Sequence, residues 1–290
     1  MISKVLKYIR IIPRLDIKGP NLVKGIHLEG MRVLGKPEDF ARIYYEQGAD
    51  ELIYQDTVAS LYQRNNLTEI VTRTAENIFI PLTVGGGIRT LQDINKVLRA
   101  GADKVSINTA AIADPDFINQ ASKAFGSSTI VVNIETIRQP DNSYLAYTDN
   151  GREHTGKEIF SWAKEVEERG AGEILLTSID REGTGNGYDL DLIREMSDAV
   201  SIPVIAHGGA SNVTDIIDSI KKSRADAVAI ASMLHYAAIN RESSLLSKFD
   251  DEGNIDFLKK KKSFKMFGKE NIIEVKWSLT QHKIPLRRLS

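Results

Sequence analysis

The 290-residue chain contains no cysteine. That absence removes thiolate nucleophiles, disulfides and cysteine-ligated metal centres from its chemistry. An excess of charge is also missing, because 38 Lys and Arg face 39 Asp and Glu, a formal net charge of −1. With a pI near 6.6, no global field draws the chain to nucleic acid or to a membrane surface. Its apolar runs are far shorter than a membrane span, and Met1-Ile-Ser-Lys lacks the apolar stretch of a signal peptide. What remains is a soluble α/β protein, expected in the cytoplasm and long enough to need no disulfide or metal staple.

What is present is organised around Leu82-Thr-Val-Gly-Gly-Gly-Ile-Arg89, an apolar run that stops at three glycines. Ile80-Pro-Leu-Thr-Val-Gly-Gly-Gly87 has an echo in Ile202-Pro-Val-Ile-Ala-His-Gly-Gly209, 122 residues on. The same offset relates Gly48-Ala-Asp-Glu-Leu-Ile-Tyr-Gln-Asp56 to Gly170-Ala-Gly-Glu-Ile-Leu-Leu-Thr-Ser178, and an offset of 123 relates Ala102-Asp-Lys-Val-Ser-Ile-Asn-Thr109 to Ala225-Asp-Ala-Val-Ala-Ile-Ala-Ser232. Three matches in one order are a duplication. Solenoid repeats are far shorter, so each copy reads as half of one closed domain spanning residues 1–290.

Short β-branched runs alternate with amphipathic stretches, as in βα units on a parallel sheet. The spacing predicts eight strands, over residues 9–15, 51–55, 79–84, 104–107, 129–134, 173–177, 203–206 and 227–230. Thr90 is the expected N-cap of a helix whose buried stripe is Leu91, Ile94, Val97 and Leu98, with Gly101 at its end. Pro37, Asp114-Pro115 and Thr155-Gly156 are read as opening other helices. Residues 138–152 carry turn chemistry on both sides of 143–147 and read as a hairpin inserted after the fifth strand. Eight βα units from a doubled half give a (β/α)8 TIM barrel. A doubly wound sheet is disfavoured, since no Gly-x-Gly-x-x-Gly follows the first strand.

Barrel chemistry sits where strands end. Gly85, Gly86 and Gly87 would let a backbone approach an anion, with Asn108 and Thr109 adding an amide and a hydroxyl. Gly208 and Gly209, with Ala231 and Ser232, would be the twin site. Glycines alone would serve equally for tight strand–helix turns; the duplicated barrel favours phosphate. Asp16 and Glu135 end the first and fifth strands, opposite in an eight-strand ring, where two carboxylates can act as general acid and base. At the other end, Arg10, Glu51, Lys104 and Glu173 begin four strands and can form a ring of salt bridges.

Arg10-Ile-Ile-Pro-Arg-Leu-Asp-Ile-Lys18, Val23-Lys-Gly25 and the segments 48–56, 79–89, 101–111, 170–189 and 202–210 resemble the cyclase subunit of imidazole glycerol phosphate synthase, in the histidine pathway, and its close paralogues. A tail from Ile273-Glu-Val-Lys276 to Ile284-Pro-Leu-Arg287 is similar to the family's last helix and end. The resemblance implies a bis-phosphate substrate, an aminoimidazole ribonucleotide joined through a formimino link to phosphoribulose. Ammonia from a partner glutaminase converts it to imidazole glycerol phosphate and aminoimidazole carboxamide ribonucleotide, and no cofactor is implied. It also implies that Lys24, in a first βα loop expected to be a mobile lid, contacts substrate, and that Asp56, Thr177, Ser178 and Gly183 belong to the site. The salt-bridge ring becomes an ammonia gate, with Asp103 beside it at the interface.

The chain departs from the family where Glu135 and Glu182 replace Asp and His207 replaces serine. One extra methylene moves a carboxylate by roughly 1 Å, a displacement that can cost about 10²-fold in rate. His207 either donates to a phosphate or is structural. Residues 237–270, with a lysine run after Leu258, read as an insertion before the last helix. The expected function is the ammonia-dependent cyclase, a lyase without nucleic-acid or membrane partners. The alternatives are a paralogue channelling ammonia for amidination of a surface-polysaccharide sugar, and a non-catalytic scaffold barrel.

Overall fold

Along strand β1 (Arg10–Lys18) the side chains alternate between two separate apolar cores. Ile11, Leu15 and Ile17 join a large core shared with the helices. Ile12 instead joins a small one with Ile53, Val131, Leu175, Ile205, Ala227 and Ala229. Side chains of a strand alternate faces, so a sheet with one core outside and another enclosed inside is a barrel. The computed structural model describes residues 8–59, 67–242, 245 and 266–287. The 246–265 part of the expected insertion, including the lysine run, lies outside the described residues.

β1 pairs in parallel with β12 (Ala227–Ile230) on one side and β4 (Leu52–Asp56) on the other. The ring continues through β5 (Leu82–Gly85), β6 (Lys104–Ile107), β7 (Ile130–Arg138), β10 (Glu173–Ser178) and β11 (Val204–His207), which returns to β12. Eight parallel strands thus close on themselves as a (β/α)8 barrel. Both faces of each strand are covered, which is why the strands read as nearly unbroken apolar runs.

The helices start where local chemistry directs. Thr90 and Asp93 form a reciprocal capping box on helix Leu91–Arg99, whose Ile94 and Val97 are buried. Pro37 is the first residue of helix Pro37–Glu46, and Pro115 precedes helix Asp116–Phe125. Helix Ile272–Gln281 is anchored by Lys276 Nζ on Asp50 Oδ1 at 2.7 Å, a buried pair at the N-terminal end of the barrel. Thr155-Gly156 does not open a helix. Those residues lie in strand β9 (Glu153–Glu158), and the Glu158 carboxylate caps the helix that follows by accepting from Phe160 and Ser161 N–H. No helix among the described residues is long and apolar enough to cross a membrane.

Two strands run past the barrel rim. β1 pairs antiparallel with β2 (Asn21–Ile26), which folds back against β3 (Glu29–Gly35). β7 likewise pairs antiparallel with β8 (Tyr144–Thr148), which pairs with β9. The first connection, expected as a mobile lid, is built as a β-hairpin, with Leu22, Val23, Lys24 and Leu28 buried. Its two turn residues, His27 and Leu28, have φ of 53° and 61°. Non-glycine residues in that region cost about 1–3 kcal/mol each and persist only where their surroundings hold them. Here the Glu182 carbonyl accepts from His27 N–H at 2.9 Å, and its carboxylate accepts from Leu28 N–H at 2.9 Å.

Candidate active site at the barrel mouth

The inward-facing residues stack in layers along the barrel axis, as the alternation requires. At the N-terminal end, Arg10 Nη1 bonds Glu51 at 2.7 Å and Glu173 at 3.0 Å. Lys104 Nζ bonds the same two carboxylates at 3.2 and 2.8 Å, closing a ring of alternating sign. Asp103 accepts from Leu82 N–H beside it. Above the ring lies the apolar layer of Ile12, Ile53, Val131 and Leu175, and above that a polar layer containing Arg14, Asn133, Thr177 and His207.

Asp16 is fully buried, and both its oxygens are taken. Oδ1 accepts from Arg14 Nε at 2.9 Å and Oδ2 from Lys24 Nζ at 3.1 Å. Lys24 Nζ also bonds Glu182. From Arg14 a chain of bonds continues to Thr177 Oγ1 at 3.1 Å, to Asn133 Oδ1 at 3.2 Å, and from Asn133 Nδ2 to Glu135 Oε1 at 3.0 Å. The two expected carboxylates are joined by this chain. Burial opposes the Asp16 charge, but the Arg14 and Lys24 cations outweigh it and hold the carboxyl well below the usual range. Burial likewise works against the Lys24 ammonium, yet Glu182 and Asp16 raise its pKa.

Glu135 has the opposite fate. Burial pushes it up to about 7, against the downward pull of Arg14 and Asn133. The Gly151 backbone N–H also favours its charged form, and Oε2 has no hydrogen-bond partner among the described residues. His207 is held well below its ordinary value by burial and by the Arg14 cation. Arg14 Nη1 lies 3.1 Å from His207 Nδ1. An arginine only donates, so Nδ1 is the acceptor and the ring is neutral.

The glycine turns form two cradles. Gly86 and Gly208 stand 122 residues apart with φ of 100° and 106°. A Cβ at Gly86 would strike the Asp56 backbone, and one at Gly208 the backbone of Ser178, the repeat equivalent of Asp56. Glycine is required at both. The first cradle is a cavity lined by Asp56, Gly86, Gly87, Asn108, Thr109 and Glu135, with Gly85 closing strand β5 beneath it. Asp56 Oδ1 accepts from Val58 and Ala59 N–H at 2.9 Å each, which fixes the preceding turn. Asn108 Nδ2 donates to Tyr147 O at 3.0 Å and Thr109 Oγ1 accepts from Asp149 N–H at 3.3 Å, so the β8–β9 turn roofs this cradle. The second is lined by Glu182, Gly183, His207, Gly208, Gly209, Ala231 and Ser232. Helices Thr109–Ala113 and Ser232–Arg241 begin at the two cradles.

The structure thus brings the expected residues into three groups: the ring at one end, and two cradles at the other around a charged centre. Lys24 sits in that centre rather than in a cradle. Ser178 is buried with Oγ unpartnered. Arg14 and Asn133 were missed. Their signal was positional, since Arg14 shares the inward parity of Arg10 and Asp16, and Asn133 that of Glu135.

Residues 10–240 match a family profile described as histidine biosynthesis protein. The chain belongs to that family. Within it, the chain is 59% identical over 207 residues to the imidazole glycerol phosphate synthase subunit HisF of Legionella pneumophila, covering 71% of this chain and 98% of that one. It is 48% identical over 234 residues to the subunit of the same name from Trichormus variabilis, covering 80% and 91%. A third such subunit, from Lactococcus lactis subsp. cremoris, is 47% identical over 228 residues, covering 78% and 88%. The matches to this histidine biosynthesis family take in the first strand, both cradles and all four residues of the ring.

Proposed function

We infer that this chain is the cyclase subunit of imidazole glycerol phosphate synthase, acting in histidine biosynthesis. The observation that carries the reading, beside family membership, is a pair of repeat-related glycine cradles on either side of two carboxyl groups. A bis-phosphate suits such a mouth, one phosphate at each helix start. Glu135 and Asp16 flank the segment between, where ammonia adds, the ring closes and the ribonucleotide leaves. The chain has no cysteine, so a cysteine-dependent glutaminase must be a separate partner in the cytoplasm. It docks at the Arg10–Glu51–Lys104–Glu173 ring, and ammonia passes the ring into the apolar layer.

The test is turnover of the formimino bis-phosphate by purified protein with excess ammonium at mildly alkaline pH, beside Asp16→Asn and Glu135→Asp. Turnover that Asp16→Asn abolishes supports the cyclase, and Glu135→Asp then measures what the longer side chain costs. No turnover by wild type removes it.

One observation favours a second reading. The two cavities share no lining residue, and of the charged centre the buried side chains of Arg14, Asp16 and Lys24 line neither of them. A bis-phosphate must displace part of that centre to span the mouth. A barrel that conducts ammonia to another acceptor, as in sugar amidination, would have no such need. It predicts ammonia transfer from the glutaminase without cyclisation.

A further inference from the structure

The mouth holds two carboxyl groups in unlike settings, and one residue, Arg14, accounts for the difference. Its side chain is fully buried, with Nε on Asp16 and Nη1 shared between Thr177 and His207. Lys24 takes the other Asp16 oxygen, so each oxygen of the buried carboxylate is held by a cation. Neither cavity is lined by Asp16, Arg14 or Lys24, whereas Glu135 lines the first and keeps Oε2 unpartnered. We propose that Arg14 is a positioning residue that fixes Asp16 as a permanent counter-ion and leaves Glu135 as the one carboxyl of the pair that exchanges a proton with a ligand.

The proposal deepens the cyclase reading and rests on it for the identity of the ligand. Glu135 faces Arg14 and Asp16 from β1, Asn133 on its own strand, and the Gly151 backbone of the β8–β9 turn. The mouth also carries Lys24 on β2, Asp56 at the end of β4, Arg89 after β5, Glu182 after β10 and His207 on β11. Burial raises Glu135, Arg14 lowers it, and Asp16 raises it. Removing the Arg14 charge must therefore move both carboxyl groups up, and Asp16 the further, because it loses its contact partner. His207 does not compete, since its Nδ1 is committed as the acceptor beside Arg14.

The measurement is a pH titration of the whole protein with 13C-labelled Asp and Glu carboxyl groups, followed by NMR without ligand. In wild type, Glu135 is expected to titrate with a midpoint near 7 while Asp16 stays ionised throughout. Arg14→Met should raise the proton affinity of Asp16 at least tenfold and move Glu135 upward, and Arg14→Lys should return most of both shifts. Arg14→Met with neither carboxyl moved overturns the proposal. Should that variant not fold, Glu135→Gln in the otherwise intact protein decides. Loss of the step near pH 7 supports the proposal, while its persistence, or an Asp16 signal titrating there, overturns it. These titrations need no substrate, so a protein without cyclase turnover would lose the activity reading and leave this one measurable. Where turnover is present, its kcat should follow one ionisation, that of Glu135.

Discussion

The barrel carries a charge cluster at each end, and the two are built differently. The lower ring uses two cations and two anions whose side chains keep 8–22% of their exposure. The upper cluster, Arg14, Asp16, Lys24 and Glu182, keeps at most 1%. Charges still touching water lose little when a partner turns away, whereas a buried charge left alone costs several kcal/mol. The lower ring is thus suited to opening and closing, and the upper cluster to holding one arrangement. The same contrast separates the carboxyl groups within the mouth: Asp16 belongs to the fixed cluster, and Glu135 faces a cavity.

Four measurements would break or sharpen that contrast. Lys24→Met should cost most, about 3–5 kcal/mol in a urea titration, because it leaves Asp16 and Glu182 buried with one cation between them. Glu135→Gln should lower kcat in the ammonium-driven assay by about 10²-fold or more, with KM changed far less, as loss of a general acid–base group does. If KM moves and kcat does not, Glu135 binds rather than exchanges a proton.

The third concerns pH. Glu135 has a folded-state pKa near 7, above its unfolded value of 4.5, so the folded protein binds the extra proton between them. Its contribution to stability is complete below 4.5 and is lost as pH rises through about 7. The urea midpoint should fall over that window, by up to about 3 kcal/mol in free energy, and Glu135→Gln should flatten the slope. Asp16 acts in the opposite sense: its lowered pKa gives stability that is present above the unfolded value of 3.8 and lost in strong acid. The smallest effect belongs to the lower ring. Arg10→Met should cost about 1 kcal/mol and should respond to added salt more than Lys24→Met does. An equal cost at the two ends would erase the contrast.

The sequence disclosed the barrel because two kinds of evidence agreed: a long internal repeat and strands apolar on both faces. It also placed the cradles, since glycine is needed where Gly86 and Gly208 approach the neighbouring strand's backbone. The second hairpin was legible for the same local reason. Its turn has Asp149, Asn150 and Gly151 at φ of 51°, 61° and 78°, residue types that tolerate that region. The first hairpin was not, because its turn is His27-Leu28, and what holds that turn is Glu182, more than 150 residues away. Arg14 was hidden differently. A charge inside an apolar strand is visible, but its partners Thr177 and His207 come from strands that only the closed ring brings near.

The two hairpins have one more consequence. Each half of the barrel supplies a rim-crossing strand, a carboxyl group, a folded-back cover and a glycine turn, and the halves interlock, since Glu135 and the β8–β9 turn of the second half complete the cradle of the first. The two cradles still share no lining residue, so a molecule half the length of the proposed substrate would occupy one without meeting the other. Two dissimilar monophosphates should then bind side by side without competing, and joining them by a short bridge should tighten binding through effective concentration alone.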